Sequence, residues 1–193
     1  FLNKNININY LDVFDINYIN TFNCLNTDGI DAIVVPGGFG QEGIHQIKKV
    51  LNLARTKKIK TLGICLGMQL MCIEYMSSTL NLPFTSTEFD STSQYPLFDL
   101  LPDQVHGVKG GSLKLGTYPT KLQEDSLIHS LYKEEIIYQR HRHRYEFNNN
   151  YRGKVKGTDL IISGTSPDNS LINTIELNQE VHPFYVGTQF HPE

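Results

Sequence analysis

The stretch "GICLG", Gly63 to Gly67, constrains the fold more than any other part of this sequence. It ends the apolar run "IKTLGIC", which is typical of a buried strand, and leads into "LGMQLMCIEYM", whose residues continue as a helix. A tight turn from a strand into a helix brings neighbouring backbone into contact, so the flanking positions need glycine. The pattern is the cysteine form of the G-x-S-x-G elbow, and it predicts that Cys65 lies at a helix N-terminus.

The elements around this turn predict an α/β fold. A second apolar run of β-branched residues, "IDAIVV", predicts another buried strand, which ends at the loop "PGGFG". A helix with Ile44, Ile47, Leu51 and Ala54 at helical spacing follows. A strand, a helix and a second strand in this order favour parallel pairing with a right-handed crossover. Further strands are predicted within 5–13, 112–122, 134–147, 159–166, 170–177 and 183–190. We predict one domain over residues 1–193, with an open, mostly parallel sheet flanked by helices and additional antiparallel strands.

Charge and cysteine content exclude several other classes. The net charge of −3 is not that of a general polyanion binder, so a basic site has to be local. The three cysteines form no C-x-x-C pair, which favours a reduced, intracellular protein over a disulfide-stapled one. No apolar run approaches the roughly 20 residues of a membrane span. We therefore expect a cytoplasmic protein without a membrane partner.

Cys65 is the candidate nucleophile. At a helix N-terminus the dipole and the free N–H groups favour thiolate, which predicts a pKa below the usual value of about 8.5. The N–H of Leu66 points toward a forming oxyanion, and the loop "PGGFG" can bring the N–H of Gly38 to the same point. Each such donor lowers the barrier by about 3 kcal/mol. The alternative for Cys65 is a buried structural cysteine, and the alternative for "PGGFG" is a simple turn or a phosphate loop. Cys24 and Cys72 lack the setting of Cys65 and are assigned to the core.

The candidate base lies near the other end of the chain. "QFHPE" follows the last predicted strand and offers His191 with Glu193 two residues later. At a strand end this spacing places both side chains on one side, so the carboxylate can fix the imidazole tautomer while the imidazole takes the thiol proton. The sequence thus predicts a Cys-His-Glu triad.

Six motifs occur in a fixed order: "PGGFG", "GICLGMQL", "STEF", "GGSLKLG", "RHRHRYE" and "QFHPE". Together they resemble the class I glutamine amidotransferase domain of CTP synthases. The first, second and last are shared by class I glutaminases in general, whereas "STEF" and "RHRHRYE" point to the CTP synthase branch. The resemblance implies that Cys65 attacks the side-chain amide of L-glutamine, that His191 protonates the leaving ammonia, and that a thioester is hydrolysed to glutamate.

The resemblance also implies how the substrate is held. Gln69 lies near the substrate, Glu88 of "STEF" holds its α-ammonium, and Arg144 takes its α-carboxylate with the backbone of Tyr145 adjacent. The alternation of Arg140 to Arg144 with two histidines predicts that the arginines share one strand face. A planar, permanently charged guanidinium suits a carboxylate in a dry pocket. Nucleic-acid binding would need a wider basic surface, and a zinc site at the histidines would lack further ligands, so we predict neither.

The resemblance implies partners beyond this chain and a regulatory site. The ammonia would aminate UTP to CTP in a synthetase domain of the same polypeptide, which would hold ATP and Mg²⁺, while this domain itself needs no cofactor. GTP would activate the enzyme near the loop after "PGGFG" and the "GGSLKLG" lid. Glu42 stands where the family carries arginine, although Lys114 keeps a basic residue in the lid, so we expect weak activation. We also expect a homo-oligomer.

Both ends of the sequence look incomplete against the family pattern. We expect a preceding strand and helix, an N-terminal synthetase domain and a C-terminal helix beyond Glu193, and a fragment ending there to hydrolyse glutamine poorly. Two other functions stay open on the sequence. One is another class I glutaminase or cysteine hydrolase with the same triad, and the other is an inactive regulatory module of this fold.

Overall fold

The structure, a computed structural model, describes residues 5–13, 29–100 and 113–193. Its strands are β1 Ala32–Val35, β2 Lys60–Ile64, β3 Thr85–Ser86, β4 Pro96–Leu100, β5 Lys114–Leu122, β6 Ile136–His143, β7 Tyr145–Phe147, β8 Leu160–Thr165, β9 Ile172–Leu177 and β10 Tyr185–Thr188. Its helices are α1 Ile44–Thr56, α2 Leu66–Leu80, α3 Leu127–Tyr132 and α4 Arg152–Val155, with a 3₁₀ turn at Asn149–Tyr151.

Most of the strands form one mixed sheet in the order β1-β2-β10-β9-β8-β5-β6. Parallel pairing joins β1 to β2 and β2 to β10. Antiparallel pairing joins the remaining neighbours. A smaller sheet has the order β3-β4-β7. The predicted α/β class is confirmed, with the parallel strands in one half of the large sheet and the additional antiparallel strands in the other.

Parallel pairing brings three loops to one edge of the sheet. Val35 is the register partner of Gly63, and Ile64 is the partner of Thr188. Strands β1, β2 and β10 therefore end side by side, and the loops that follow them are "PGGFG", the elbow at Cys65 and "QFHPE". The carboxyl edge of parallel strands is where α/β proteins build their sites.

Helices cover both faces of the sheet. Neighbouring side chains of a strand point to opposite faces, and in β10 Tyr185 joins one core cluster while Val186 joins the other. The larger cluster packs α2, through Met68, Met71 and other apolar residues, against the sheet. The smaller cluster packs Ile128 of α3 against the opposite face. This packing fixes the strand ends that carry the candidate site.

Two predictions about the first part of the chain are wrong. Residues 5–13 form no strand, and the alternating Ile6, Ile8 and Tyr10 are exposed, Ile6 to 81%. Alternating apolar and polar residues predict a strand only where a neighbouring strand accepts its hydrogen bonds. Strand β1 was predicted to be buried, but it is the edge strand of the described sheet and Val34 is 59% exposed. Cys24 lies outside the described residues.

Candidate active site

The elbow forms as the glycine pattern predicts. Cys65 lies between β2 and α2 with φ 54° and ψ −107°, a strained backbone conformation for a residue with a side chain. A Cβ on Gly63 would lie 2.7 Å from the carbonyl carbon of Gly67. A Cβ on Gly67 would overlap the backbone of Val35 in β1. The two glycines let the turn pass between neighbouring strands, and Cys65 is thereby presented at the start of α2.

The protonation state of Cys65 differs from the prediction. Burial raises the pKa of the Cys65 thiol to about 11, although the N–H of Leu66 opposes this rise. The nearby carboxylates of Glu88 and Glu146 raise the pKa further. The prediction that the helix N-terminus lowers the pKa of Cys65 is wrong. Cys65 is only 3% exposed, and the loss of hydration on burial outweighs the helix donors. Cys65 is therefore a thiol at neutral pH.

The cysteine and the predicted base face one another across Gly37. The position that a Cβ on Gly37 would occupy lies 3.4 Å from Cβ of Cys65 and 3.6 Å from Nε2 of His191. Among the described residues, Nε2 of His191 has no hydrogen-bond partner. The structure thus brings Cys65 and the free ring nitrogen of His191 to one small space.

The other ring nitrogen of His191 contacts the predicted third member of the triad. Nδ1 of His191 lies 2.8 Å from Oε1 of Glu193. The backbone N–H of His191 also donates to the carbonyl of Arg140 in β6 at 2.8 Å, which holds the loop against the sheet. Burial tends to raise the pKa of Glu193, but the hydrogen bond and charge of His191 outweigh it and lower that pKa. The carboxylate is charged at neutral pH and favours the Nδ1–H tautomer, which leaves Nε2 as an acceptor.

The two predicted oxyanion-hole residues are neighbours. The N–H of Leu66 interacts with the Cys65 sulfur. A Cβ on Gly38 would lie 3.2 Å from Cδ2 of Leu66, so the "PGGFG" loop passes directly over the start of α2. Their role as oxyanion donors stays a prediction.

The predicted substrate-binding residues surround the same space. Glu88 accepts a hydrogen bond from the N–H of Gly40 at 2.9 Å, and it interacts electrostatically with both Arg144 and Cys65. Burial raises the pKa of Glu88, against the hydrogen bond from Gly40 and the charge of Arg144. Gln69 donates to the carbonyl of Tyr145 at 3.3 Å. Their binding roles stay predictions, but all four residues lie in one region.

The arginine-histidine motif has two different faces. His141 and His143 point inward from β6 and are buried, while Arg140 and Arg142 are exposed on the other face. Arg144 does not share that face as predicted, because β6 ends at His143 and Arg144 occupies the break before β7, where it is half-buried. This break directs Arg144 toward Glu88.

The buried histidines of β6 have different partners. Burial lowers the pKa of His141 to about 2, and the charge of Lys114 lowers it further, so this ring is neutral. Nε2 of His143 contacts Oε1 of Glu146 at 2.6 Å. Across residues 5–13, 29–100 and 113–193, no group of three or more His, Cys, Asp or Glu side chains could hold a metal ion.

The two residues predicted to act in activation differ in exposure. Glu42 is exposed in the turn before α1. Lys114 lies at the start of β5 with its side chain only 9% exposed, and its Nζ is 3.6 Å from Oε1 of Glu146. Lys114 therefore points into the domain. A GTP-binding role for either residue stays a prediction.

Sequence reasoning missed two residues of this site. Gly37 separates Cys65 from His191, although only its neighbour Gly38 was selected. Gln189 is fully buried, and its Nε2 donates to the Cys65 sulfur at 3.7 Å. It stands two residues before His191 in "QFHPE", and its place in the same motif as the predicted base was its signal in the sequence. Within the part of the chain that the structure describes, no helix is long and apolar enough to cross a membrane.

The chain belongs to the class I glutamine amidotransferase family, whose family model, "Glutamine amidotransferase class-I", matches residues 5–193. It is 49% identical over 170 residues to a CTP synthase of Bacillus velezensis, covering 86% of this chain and 31% of that protein. It is 46% identical over 191 residues to a CTP synthase of Halalkalibacterium halodurans, covering 97% of this chain and 35% of that protein. The chain spans about a third of the length of these curated relatives.

A solved structure has the same fold. It is described as the Trypanosoma brucei CTPS glutaminase domain with bound acivicin, with a TM-score of 0.86 and 28% sequence identity. The alignment covers 98% of this chain and 74% of that one. The resemblance found in the sequence motifs, to glutaminase domains of CTP synthases, is confirmed.

Proposed function

We propose that this chain is the glutaminase part of a CTP synthase, and that it hydrolyses L-glutamine to glutamate and ammonia through a thioester on Cys65. The observation that carries the proposal is the approach of Cys65 and Nε2 of His191 to one point beside Gly37. A thiol and an imidazole nitrogen without another partner are the two groups that nucleophilic amide cleavage requires.

The chemistry follows from the protonation states. Since Cys65 is a buried thiol whose pKa is about 11, a base has to take its proton as the sulfur attacks. Nε2 of His191 accepts that proton, and Glu193 stabilises the imidazolium through Nδ1. The sulfur bonds to the amide carbon, and the oxyanion receives hydrogen bonds from the N–H groups of Gly38 and Leu66. The imidazolium then gives its proton to the amide nitrogen, ammonia leaves, and water hydrolyses the thioester.

The charged ends of glutamine match the charged residues around the sulfur. The α-ammonium would bind Glu88, whose pKa burial raises and a bound cation would lower again. The α-carboxylate would bind Arg144, whose Nε is buried without a hydrogen-bond partner among the described residues. A substrate lacking either charge would leave a half-buried charge unpaired, so the site should select a free amino acid over a peptide.

The use of the ammonia rests on the relatives. Both relatives described above are CTP synthases, and this chain matches about a third of each. We infer that the ammonia aminates UTP to CTP in a synthetase part of the same polypeptide, with ATP and Mg²⁺ bound there. We further infer that GTP activates the enzyme, although Glu42 weakens this activation. We also infer a homo-oligomeric state and a cytoplasmic location. A glutamine-hydrolysis assay of the full-length protein with and without GTP tests the activation, and strong stimulation would mean that Glu42 does not oppose it.

A glutamate-release assay with matched cysteine variants tests the glutaminase activity. Cys65→Ala should abolish release of glutamate from L-glutamine. Cys72→Ala is the control, since Cys72 is a fully buried cysteine of the same helix that belongs to the core cluster. Its activity should stay near that of the wild type. Retention of glutamate release by folded Cys65→Ala would refute the proposed function.

A further inference from the structure

The Cys65 sulfur has a side-chain donor that the triad does not include. Nε2 of Gln189 lies 3.7 Å from Sγ of Cys65, and the Gln189 side chain is fully buried. Gln189 directly follows β10, whose Thr188 carbonyl accepts the N–H of Cys65 at 2.6 Å. The N–H of Gln189 is itself bound by the carbonyl of Asn173 at 2.8 Å. The backbone on both sides of this contact is therefore fixed by the sheet.

The orientation of the Gln189 amide follows from its other neighbour. The carbonyl of Tyr145 can only accept, so the atom of Gln69 that lies 3.3 Å from it is the donor Nε2. The same Nε2 lies 3.2 Å from the Gln189 amide, which must present its oxygen there. The remaining group of Gln189, its NH₂, then faces the sulfur. Gln69 thereby sets which end of Gln189 Cys65 meets.

Two of the polar groups beside the sulfur, the Arg142 carbonyl and the Gln189 amide, favour opposite charge states of Cys65. The carbonyl of Arg142 lies 3.7 Å from Sγ and accepts the S–H of the resting thiol. Once the proton leaves, this oxygen repels the sulfur, while the N–H of Gln189 attracts it more strongly than before because hydrogen bonds to ions are stronger. Because the Gln189 amide is neutral, it can stabilise the Cys65 thiolate without adding a second charge to this buried site.

We propose that Gln189 stabilises the Cys65 thiolate as it forms, by donating a hydrogen bond to the sulfur, and that Gln69 is the positioning residue that holds Gln189 in the donating orientation. The proposal deepens the proposed function and rests on Cys65 being its nucleophile. It gives Gln69 a role toward the sulfur in addition to the predicted contact with substrate.

The pH dependence of Cys65 alkylation tests this proposal without any glutamine. Iodoacetamide reacts with the thiolate, and mass spectrometry locates the adduct on Cys65, so the profile reports the thiol pKa at this site. Gln189→Met keeps the side-chain length and removes the donor. A hydrogen bond to an ion of this kind corresponds to about a tenfold change in an equilibrium. The apparent pKa of Cys65 should therefore rise by about one unit.

Three further variants separate donation from general loosening of the core. Gln189→Asn retains an amide that is too short to reach the sulfur, and should raise the pKa as the methionine does. Gln69→Met should raise it by a smaller amount, because the Gln189 amide is then free to turn. Ser163→Ala is the control: it removes a buried hydroxyl of β8 that lies 3.0 Å from the hydroxyl of Thr174 and, among the described residues, makes no hydrogen bond to Gln189, and it should leave the pKa unchanged.

The proposal is overturned if the pKa of Cys65 is unchanged in folded Gln189→Met and Gln189→Asn. It is also overturned if Ser163→Ala raises that pKa as much as they do. Because alkylation needs no substrate, this result is independent of the glutaminase assay. A shifted pKa in a protein that fails to hydrolyse glutamine would support the hydrogen bond while refuting the proposed function.

Discussion

A single methyl group at Gly37 should separate the proposed nucleophile, Cys65, from the proposed base, His191. The Cβ of Gly37→Ala would lie 3.0 Å from Cε1 of His191 and 3.4 Å from Cβ of Cys65. Carbon atoms pack best at about 3.5–4.0 Å, so the imidazole has to move by a few tenths of an ångström, up to about 0.5 Å. The backbone of Gly37 lies outside the left-handed region, so alanine itself causes no strain there. Displacement of a reacting group by about 1 Å can cost roughly 10²-fold, so a shift of up to half that size should lower kcat for glutamine hydrolysis by up to about tenfold.

The assay is steady-state release of glutamate, together with urea unfolding to measure stability. Gly153→Ala is the matched control, because the position of its added methyl is more than 4 Å from the neighbouring atoms that the structure describes, and α4 admits alanine. The control should keep wild-type activity and gain up to about 1 kcal/mol of stability. If Gly37→Ala turns over glutamine as fast as Gly153→Ala, Cys65 and His191 do not react across Gly37, and the inference from this contact is wrong.

Three further variants test separate parts of the account. Glu193→Gln removes the carboxylate 2.8 Å from Nδ1 of His191 and should lower kcat about 10²-fold or more. The variant should also lack the part of the acid-side fall in kcat that protonation of Glu193 causes in the wild type. A wild-type kcat would contradict the role of Glu193. Glu88→Gln should raise the KM for glutamine at least tenfold with a smaller change in kcat, and an unchanged KM would rule out its contact with the α-ammonium. Glu74→Gln breaks the 2.7 Å ion pair with Arg55 and should cost about 3 kcal/mol in urea unfolding at neutral pH. Burial tends to raise the pKa of Glu74, but the hydrogen bonds from Arg55 and Asn52 hold that pKa below its ordinary value. The stability that the ion pair contributes is therefore fully present above the ordinary pKa of a glutamate. It is lost as pH falls through the lower pKa of Glu74 in the folded protein. A difference between wild type and Glu74→Gln that stays constant into acid would contradict this linkage.

Local patterns predicted the elements that position the site. The glycines around Cys65 predicted the elbow, because only backbone without Cβ fits against Val35 there. Helical spacing predicted α1, whose Leu51 and Ala54 are fully buried. The alternation in 5–13 failed, since strand formation depends on a partner that local sequence does not reveal.

The side-chain environment of the site could not be predicted in the same way. The pKa of Cys65 depends on how completely the domain covers the sulfur, and that burial is a sum over distant elements. The break at Arg144, which turns it away from Arg140 and Arg142, depends on where β6 ends and β7 begins. Gln189 contacts Cys65 across 124 positions of sequence, through the parallel register of β2 and β10. Motifs identified Cys65, His191 and Glu193 as candidates, whereas the fold determines how deeply the sulfur is buried and which donors lie beside it.

The central claim is that Cys65 carries the γ-glutamyl group during turnover, and trapping that intermediate tests it most directly. The protein is mixed with L-glutamine, quenched in acid within the first turnovers, digested and analysed by mass spectrometry. The account predicts one γ-glutamyl group, on the peptide that contains Cys65, and its absence in Cys65→Ala. Release of glutamate with the label on another residue, or with equal yield from Cys65→Ala, would contradict it.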